Sequence, residues 1–243
     1  MIRWGIIGLG NMANHFAEAI KETKYAKLNS IASISSSKLN NFSNKFKIHK
    51  KNCYDNYEEL IKSNEVDAIY ISTLNNTHLD LVKKSASAKK KILCEKPLGL
   101  NYSQVDIAKK YIDKNNIKFY EAIAYYSHPQ TELIKKLISE NEIGRIIKIE
   151  SSFGFKSRVR PSSRLFNKEL GGGSILDVGC YPISFLMLFE NSIKNFEFKN
   201  KKISYATTNV DDYAEANLII SKNILANIKV SLKENYINNC IIK

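Results

Sequence analysis

The first thirteen residues place the strongest constraint on the fold of this chain. Residues 2–7 are an apolar run, Gly8-Leu9-Gly10 follows directly, and apolar residues then recur at helical spacing. A strand that turns sharply through glycines into a helix is typical of dinucleotide sites. Gly8 would make the tight turn, and Gly10 would let a diphosphate approach the backbone. The predicted diphosphate site is therefore the start of that helix, at Asn11, Met12 and Ala13.

The end of the second strand predicts which dinucleotide binds. Residues 28–35 read as this strand, and they end in serines where an aspartate or glutamate would select NAD. Ser33, Ser35 and Lys38 could instead hold a 2′-phosphate. The cofactor is therefore predicted to be NADP or NAD, with NADP modestly favoured, although a plain serine-rich turn explains the same residues nearly as well.

A third inner strand is predicted at residues 66–72, and polar residues follow it. Thr73 and Asn75 would lie at the carboxyl edge of the sheet, where they could line a nicotinamide pocket. His78 could join them. However, it begins a predicted helix that runs to about Ala88, and a histidine at a helix start is more often structural.

The next strand, at residues 91–94, ends in Glu95-Lys96-Pro97. Proline cannot donate to a central ladder, so the strand must stop there. A lysine at this strand end points into the crevice where such folds bind ligands, which makes Lys96 the first catalytic candidate and places Glu95 beside the cofactor. A solvated lysine is the alternative, and the glycine turn upstream favours the functional interpretation.

The β/α alternation ends after a helix capped by Asn101 and a strand at residues 117–124, so the predicted domains are 1–121 and 122–243. In the second, Pro129 opens a helix, and residues 146–155 alternate like a strand with one covered face. Residues 213–220 and 224–232 predict a hairpin across residues 221–223. Residues 236–242 predict a further strand.

A triple glycine at residues 171–173 leads into the second pair of candidate catalytic residues. Asp177 and Tyr181 are four residues apart, so they would share one face of a helix. An aspartate at a helix start and a half-buried tyrosine are the structural alternatives, and the pattern alone does not decide between them.

Composition predicts a cytoplasmic protein without metal. The chain has a net charge of +13, which could indicate a nucleic-acid partner, but its lysines are scattered along the whole sequence and a compositional bias is favoured. The four cysteines lie far apart, which predicts reduced thiols and no zinc site. Neither a signal peptide nor an apolar run that could span a bilayer is present in the sequence, so no membrane association is expected.

Taken in order, the motifs resemble those of the Gfo/Idh/MocA family of oxidoreductases. They are Gly5-Ile6-Ile7-Gly8-Leu9-Gly10, Asp67-Ala68-Ile69-Tyr70-Ile71-Ser72-Thr73, Cys94-Glu95-Lys96-Pro97-Leu98, Glu121-Ala122, His128-Pro129-Gln130, and residues 171–182. The resemblance implies an α/β protein with a Rossmann domain followed by an α+β domain whose open, mostly antiparallel sheet often forms the interface of a homodimer or higher homo-oligomer. It also implies that Lys96 lies beside the nicotinamide and that Tyr181 exchanges the substrate proton.

The sequence departs from the family pattern in three places. Ile34 replaces a common arginine, which weakens the preference for NADP, and Tyr126 and Ser127 replace an arginine and an aromatic residue. The chain also ends before the last strands of its relatives, which suggests a fragment with an incomplete second sheet.

The expected reaction is hydride transfer between a nicotinamide and a secondary alcohol or hemiacetal carbon of a sugar, polyol or cyclic diol. Tyr181 would exchange the hydroxyl proton, Lys96 would stabilise its phenolate, and Asp177 would hold a substrate hydroxyl or orient the lysine. The alternative is a regulatory or sensor protein that binds NAD(P) without turnover.

Overall fold

Two sheets organise the chain, and each lies in a compact unit of its own. The computed structural model describes residues 1–189, 196–220 and 224–243. Its first unit is Met1–Ala122 and its second is Ile123–Lys243. Within these described ranges, no helix combines the length and the apolar character needed to cross a bilayer.

The first unit contains a six-stranded sheet in which every pairing is parallel. The strands are β1 (Ile2–Ile7), β2 (Ala26–Ala32), β3 (Cys53–Tyr54), β4 (Ala68–Ile71), β5 (Lys91–Cys94) and β6 (Phe119–Glu121), in the spatial order β3-β2-β1-β4-β5-β6. The helices are α1 (Asn11–Lys21), α2 (Ser36–Phe46), α3 (Tyr57–Lys62), α4 (His78–Ser87) and α5 (Tyr102–Asn115). The predicted dinucleotide-binding fold is confirmed, and the carboxyl ends of all six strands lie along one edge.

Capping side chains set the starts of several helices. The Asn101 side chain accepts a hydrogen bond from the Gln104 N–H at 3.0 Å, as predicted for the start of α5. At α3, the cap is Asn56, which accepts from the Glu58 N–H at 2.8 Å. Each cap satisfies an N–H that the first helical turn leaves without a partner.

The second strand ends earlier than predicted. β2 stops at Ala32, so the serines lie in the turn into α2 and not in the strand. Ser35 caps α2 by accepting from the Lys38 N–H. The serine hydroxyls compete with a sheet ladder by bonding to nearby backbone, which explains the early end.

The second unit contains a five-stranded mixed sheet in the order β11-β7-β10-β9-β8. Its strands are β7 (Lys148–Gly154), β8 (Phe196–Tyr205), β9 (Asp211–Ile220), β10 (Ile224–Ser231) and β11 (Cys240–Ile242), and its helices are α6 (Pro129–Ser139) and α7 (Cys180–Leu186). One pairing, β7 with β10, is parallel and the others are antiparallel. This confirms the predicted α+β character of the second half.

The apolar core of this unit lies on one face of the sheet. Ile149, Leu218 and Ala226 from three strands pack with Phe185 and Leu186 of α7. The predicted hairpin pairs Ile220 with Ile224, and its turn, residues 221–223, lies outside the described residues. Of the strand predicted at residues 236–242, only residues 240–242 pair with β7, and they form β11. β8 was not predicted.

Candidate functional site

The glycine turn after β1 has the shape that a diphosphate requires. Gly8 has φ +86°, and a Cβ there would lie 2.7 Å from Thr73 Cγ2. At Gly10, by contrast, a Cβ would meet no atom of the described residues within 4 Å. Gly10 precedes α1, whose first turn has no side-chain cap among the described residues. Asn11, Met12 and Ala13 thus begin a helix whose free N–H groups adjoin open space, as an anion needs.

The turn after β2 holds the predicted ribose-binding residues. Ser33 is buried, and its hydroxyl accepts from the Ser35 N–H at 3.2 Å. Ser35 Oγ lies 3.1 Å from Ser37 Oγ. Lys38 is exposed, and so is Ile34, at 79%. The serines therefore shape the turn, and Lys38 is the cation available to a 2′-phosphate.

His78 joins the loops that follow β4 and β5. It is fully buried; its Nδ1 lies 2.8 Å from the Pro97 carbonyl oxygen and its Nε2 lies 3.3 Å from the Thr73 carbonyl oxygen. Burial lowers the pKa of His78, although the two carbonyls act in the opposite direction. A neutral imidazole donates one hydrogen bond, and the shorter contact favours Pro97 as its acceptor. The histidine thus fixes the loop that carries Lys96.

Residues 95–98, the lysine loop, are held from three sides. Tyr70 of β4 donates to Glu95 Oε1 at 2.5 Å, His78 bonds to Pro97, and the Leu98 N–H donates to Glu121 Oε1 at 2.7 Å. The Lys96-Pro97 peptide is cis. Each of the three supporting side chains comes from a different element, so Lys96 occupies a braced position at the carboxyl end of β5.

Glu121 is a partly buried acid beside this loop. Its burial raises the pKa of the carboxyl; the Leu98 N–H lowers it, and the charge of Glu95 raises it further. Burial also raises the pKa of the neighbouring Cys94 thiol well above its usual value, with Glu121 and Glu95 adding to the effect. Cys94 is therefore an inert thiol of the core.

In the second unit, Tyr181 lies among aromatic side chains beside a cavity. Its ring stacks on Phe153 with centroids 5.0 Å apart and planes at 16°. The cavity has a volume of about 450 Å³, and polar groups in its wall include Gln130, Ser151 and Asn238. Such a volume suits a small, partly polar molecule.

Asp177 is buried and paired with an arginine from the preceding loop. Arg164 Nη1 donates to Asp177 Oδ1 at 2.7 Å. Residues Ile175–Gly179 form a π-helical turn that runs directly into α7, so Asp177 and Tyr181 lie on either side of this junction. The structural alternative for Asp177, a helix cap, is not what the structure shows, because its carboxylate faces Arg164.

Close packing explains the triple glycine before this turn. A Cβ on Gly172 would lie 2.7 Å from the Leu165 carbonyl oxygen, and one on Gly173 would lie 2.3 Å from Asp211 Oδ1. Asp211 Oδ2 accepts from the Ser174 hydroxyl at 2.6 Å and from the Ile175 N–H at 2.7 Å. Asp211 is therefore the group that orders the start of the helix bearing Tyr181.

Tyr126, one of the departures from the family pattern, supports the same helix. Its hydroxyl donates to the Ser184 carbonyl oxygen at 3.0 Å, and the Tyr125 hydroxyl lies 2.7 Å from Ser184 Oγ. Burial raises the pKa of Tyr125 far above its usual value. Both tyrosines are hydrogen-bonded to Ser184 of α7, the helix that bears Tyr181.

The first unit gathers all of its predicted residues at one sheet edge. Gly8, the serine turn, Thr73, Asn75 and Lys96 all follow carboxyl ends of parallel strands. The sequence did not indicate the supporting roles of Tyr70, Phe153, Arg164 and Asp211. Covariation between distant positions in related sequences could have indicated them, but a single sequence contains no such signal.

Comparison with protein families decides the relationship. The profile described as "Oxidoreductase family, NAD-binding Rossmann fold" of GFO/IDH/MocA proteins matches residues 2–123, and the GFO/IDH/MocA C-terminal domain matches residues 131–242. The chain belongs to the GFO/IDH/MocA family. The resemblance deduced from the motifs is thereby confirmed.

Named relatives in the GFO/IDH/MocA family are dehydrogenases. A trans-1,2-dihydrobenzene-1,2-diol dehydrogenase of Xenopus tropicalis is 35% identical over 78% of this chain and 57% of its own length. A D-xylose 1-dehydrogenase (NADP(+)) of Haloferax volcanii is 33% identical over 56% of this chain and 42% of its own length. The chain thus spans about half the length of these curated relatives.

Solved structures share the fold. A 3-ketoreductase from Actinomadura kijaniata, in complex with NADP and TDP-benzene, superposes with a TM-score of 0.88 at 24% identity, covering 100% of this chain and 73% of that one. An aldose-aldose oxidoreductase from Caulobacter crescentus, complexed with glycerol, has a TM-score of 0.88 at 21% identity and covers 96% and 72%. At these identities the structures establish the GFO/IDH/MocA fold alone.

Proposed function

We propose that this protein is an NAD(P)-dependent oxidoreductase acting on a secondary alcohol or hemiacetal carbon of a sugar, polyol or cyclic diol. The observation that carries the proposal is the shared sheet edge of the first unit. There the open glycine turn at Gly10 and the braced Lys96 follow carboxyl ends of parallel strands. The relatives named above, which are diol and sugar dehydrogenases, support the substrate class.

The residues of the first unit fit a dinucleotide. The N–H groups at the start of α1 would hold the diphosphate, and a side chain at Gly10 would occupy its space. Thr73, Asn75 and Glu95 would border the nicotinamide, and His78 would fix the loops that carry them. When bound, the nicotinamide supplies a carbon that accepts or donates hydride.

NADP is the favoured form of the cofactor. No carboxylate occurs among residues 33–38, so nothing in this turn repels a 2′-phosphate, and the exposed Lys38 would attract it. The NADP bound by the Actinomadura 3-ketoreductase agrees with this preference.

We assign the proton exchange to Tyr181 and the stabilisation of its phenolate to Lys96. Lowering the pKa of a phenol from about 10 to about 7 requires roughly 4 kcal/mol. One ammonium about 4 Å from a phenolate supplies roughly that amount at an effective dielectric of about 20. Asp177, held by Arg164, would bind a substrate hydroxyl or orient the lysine.

Two substitutions test this assignment. Tyr181→Phe and Lys96→Ala should each lower kcat by about 10²- to 10⁴-fold, because each removes a group that acts on the transferred proton. Nicotinamide absorbance is followed across a panel of sugars, polyols and diols with both cofactors. An undiminished rate in either variant would contradict the assignment.

Two control variants make the same types of substitution at exposed positions away from the proposed catalytic residues. Tyr205→Phe removes an exposed phenol on β8, and Lys91→Ala removes an exposed ammonium from the amino end of β5. Both should retain full activity. Tight NADP binding without turnover on any substrate would favour the regulatory or sensor alternative instead.

Assembly and location belong to the same proposal. One face of the second sheet lies away from the core and presents Leu225 and Ile241, at 50% and 42% exposure, and this face could join two copies in a homodimer or higher homo-oligomer. No disulfide joins the four cysteines in the described part of the chain, which agrees with a reducing cytoplasm. We infer neither a nucleic-acid nor a membrane partner.

A further inference from the structure

Arginine is rare and unevenly placed in this chain. Only five of its 37 cationic residues are arginines, and three of them, Arg158, Arg160 and Arg164, lie within seven consecutive positions. Everywhere else the chain uses lysine for positive charge almost without exception. An arginine cluster in such a sequence therefore reflects a need for the guanidinium group itself and not for charge alone.

One arginine outside this cluster, Arg3, and one inside it, Arg164, show what the chain uses guanidinium groups for. Arg3 donates from Nε at 3.1 Å and from Nη2 at 2.8 Å to the two oxygens of Asp67. Arg164 donates to Asp177 at 2.7 Å. Both bind an oxyanion through a planar donor group, which is the geometry that arginine provides and lysine does not.

Arg158 and Arg160 have no such partner. Both are exposed, and no carboxylate in the described part of the chain pairs with either one. Residues 156–168, the arginine loop, contain five cationic residues and no acidic residue. Apart from Arg164, which pairs with Asp177, the arginines of this loop have no carboxylate partner among the described residues.

The arginine loop follows a strand that contacts Tyr181, and the loop itself contacts the segment that bears Tyr181 through Arg164. It begins just after β7, whose Phe153 stacks on the Tyr181 ring at 5.0 Å. Near its other end, Arg164 bonds to Asp177, one turn before Tyr181. The Ser163 N–H donates to the Arg160 carbonyl at 2.9 Å and closes a turn just before Arg164. The unpaired guanidinium groups thus lie on the loop whose Arg164 contacts Asp177, four residues before the proposed proton-exchanging tyrosine.

We propose that Arg158 and Arg160 bind an oxyanion carried by the substrate, so that the preferred substrate is an anionic sugar or polyol, such as a phosphate monoester or a uronic acid. This inference rests on the proposed function and narrows its substrate class. Planar guanidinium groups match phosphate and carboxylate oxygens in a bidentate manner. Neutral sugars would bind without this contribution.

The test compares matched ligands with matched variants. Binding of glucose, glucose 6-phosphate and glucuronate to the NADP-saturated protein is measured by calorimetry, and turnover is followed in parallel. Arg158→Gln with Arg160→Gln should weaken binding of the anionic ligands about 10- to 100-fold and leave glucose unchanged. Arg145→Gln, which removes an exposed arginine elsewhere in the second unit, should change neither.

Conservative replacement separates geometry from charge. Arg158→Lys with Arg160→Lys keeps both charges but loses the planar, bidentate donor groups. The variant's affinity for the anionic ligands should therefore stay below that of wild type even at high salt, where the attraction between charges is screened. A comparison of the affinities for glucose 6-phosphate and glucuronate shows whether the protein prefers a phosphate or a carboxylate.

The outcomes also separate this inference from the proposed function. Arginine-dependent binding of an anion, without turnover of any compound in the panel of sugars, polyols and diols, would support the oxyanion site and contradict the oxidoreductase assignment. Turnover with no preference for either anionic ligand over glucose, or equal affinities in wild type and the Gln double variant, would overturn the oxyanion site.

Discussion

At the scale of single residues, Lys38 is the side chain whose role in cofactor choice can be isolated. It follows a turn in which the Ser33 hydroxyl accepts from the Ser35 N–H and Ser35 Oγ contacts Ser37 Oγ, and its ammonium is the positive charge that this turn offers to a 2′-phosphate. Lys38→Ala should weaken NADP binding about fivefold to tenfold at low ionic strength and leave NAD binding unchanged, because only NADP carries that phosphate. Fluorescence titration measures both affinities.

The control for this prediction comes from β2, the strand that precedes the serine turn. Lys27→Ala removes an exposed ammonium near the amino end of β2, at the opposite edge of the sheet. If this variant loses NADP affinity as strongly as Lys38→Ala, general attraction by the chain's positive charge explains the preference and Lys38 has no specific role.

Glu121 offers a second residue-level prediction, which concerns stability and pH. Its pKa is raised by burial, so the folded first unit holds the carboxyl proton more tightly than the unfolded chain does. Stability therefore falls as pH rises from the ordinary value of 4.5 through the raised folded value, and the loss is complete above that value. Glu121→Gln removes this loss and keeps an oxygen for the Leu98 N–H. The variant should gain stability relative to wild type as pH rises from 4 to 8.

Truncation at the same position has the opposite effect. Glu121→Ala leaves the Leu98 N–H without its acceptor, which should cost about 1–3 kcal/mol at pH 7. The chain's single tryptophan, Trp4, lies in β1 and packs against Phe16, so its fluorescence during urea unfolding reports the first unit alone. If the stability of Glu121→Gln relative to wild type does not change with pH, the pKa of Glu121 is not raised in the folded protein.

At the scale of elements, the glycine turn after β1 separates folding from binding. Gly8→Ala forces a side chain into the left-handed region at φ +86° and against Thr73, so the first unit should lose about 1–3 kcal/mol of stability. Gly10→Ala meets open space, so stability should stay within about 0.5 kcal/mol of wild type. Its Cβ would, however, occupy the diphosphate position, and NADP affinity should fall at least tenfold.

Urea unfolding followed by Trp4 fluorescence and NADP titration together check this contrast. The decisive observation is the separation of the two effects at Gly10. A Gly10→Ala protein that is stable and still binds NADP with wild-type affinity would place the diphosphate elsewhere.

The same elements show which parts of the site could be predicted. The turn at Gly8 and the strand end at Lys96 each depend on a short run of contiguous residues. Sequence patterns were therefore sufficient to predict both. The contact of His78 with Pro97 joins positions 19 residues apart, and that of Arg164 with Asp177 joins positions 13 apart through a loop without periodicity. These contacts form only when elements pack, which is why the sequence named His78 and Asp177 but not their partners.

At the scale of the whole molecule, the two units differ in how clearly their sequences define them. Inner strands of the parallel sheet are buried on both faces and show as apolar runs, so β1, β4 and β5 were located closely. β8 is an edge strand, exposed along nearly all of its length, and it has no buried face to impose a pattern. β8 therefore escaped prediction, whereas the core strands did not.

The exposed face of the second sheet carries the last prediction. Leu225 lies opposite Ile219 on β9 and Lys148 on β7, on the face that the core does not cover. If this face joins two copies, Leu225→Lys would place like charges against each other across a symmetric interface and should convert the homo-oligomer to monomer. Sedimentation equilibrium measures the mass, and NADP affinity should not change because the cofactor residues lie in the first unit. Ile107→Lys on α5, at 40% exposure, makes the same change away from this sheet and should leave the mass unchanged. A Leu225→Lys protein that sediments with the wild-type oligomeric mass would show that the copies meet through another surface.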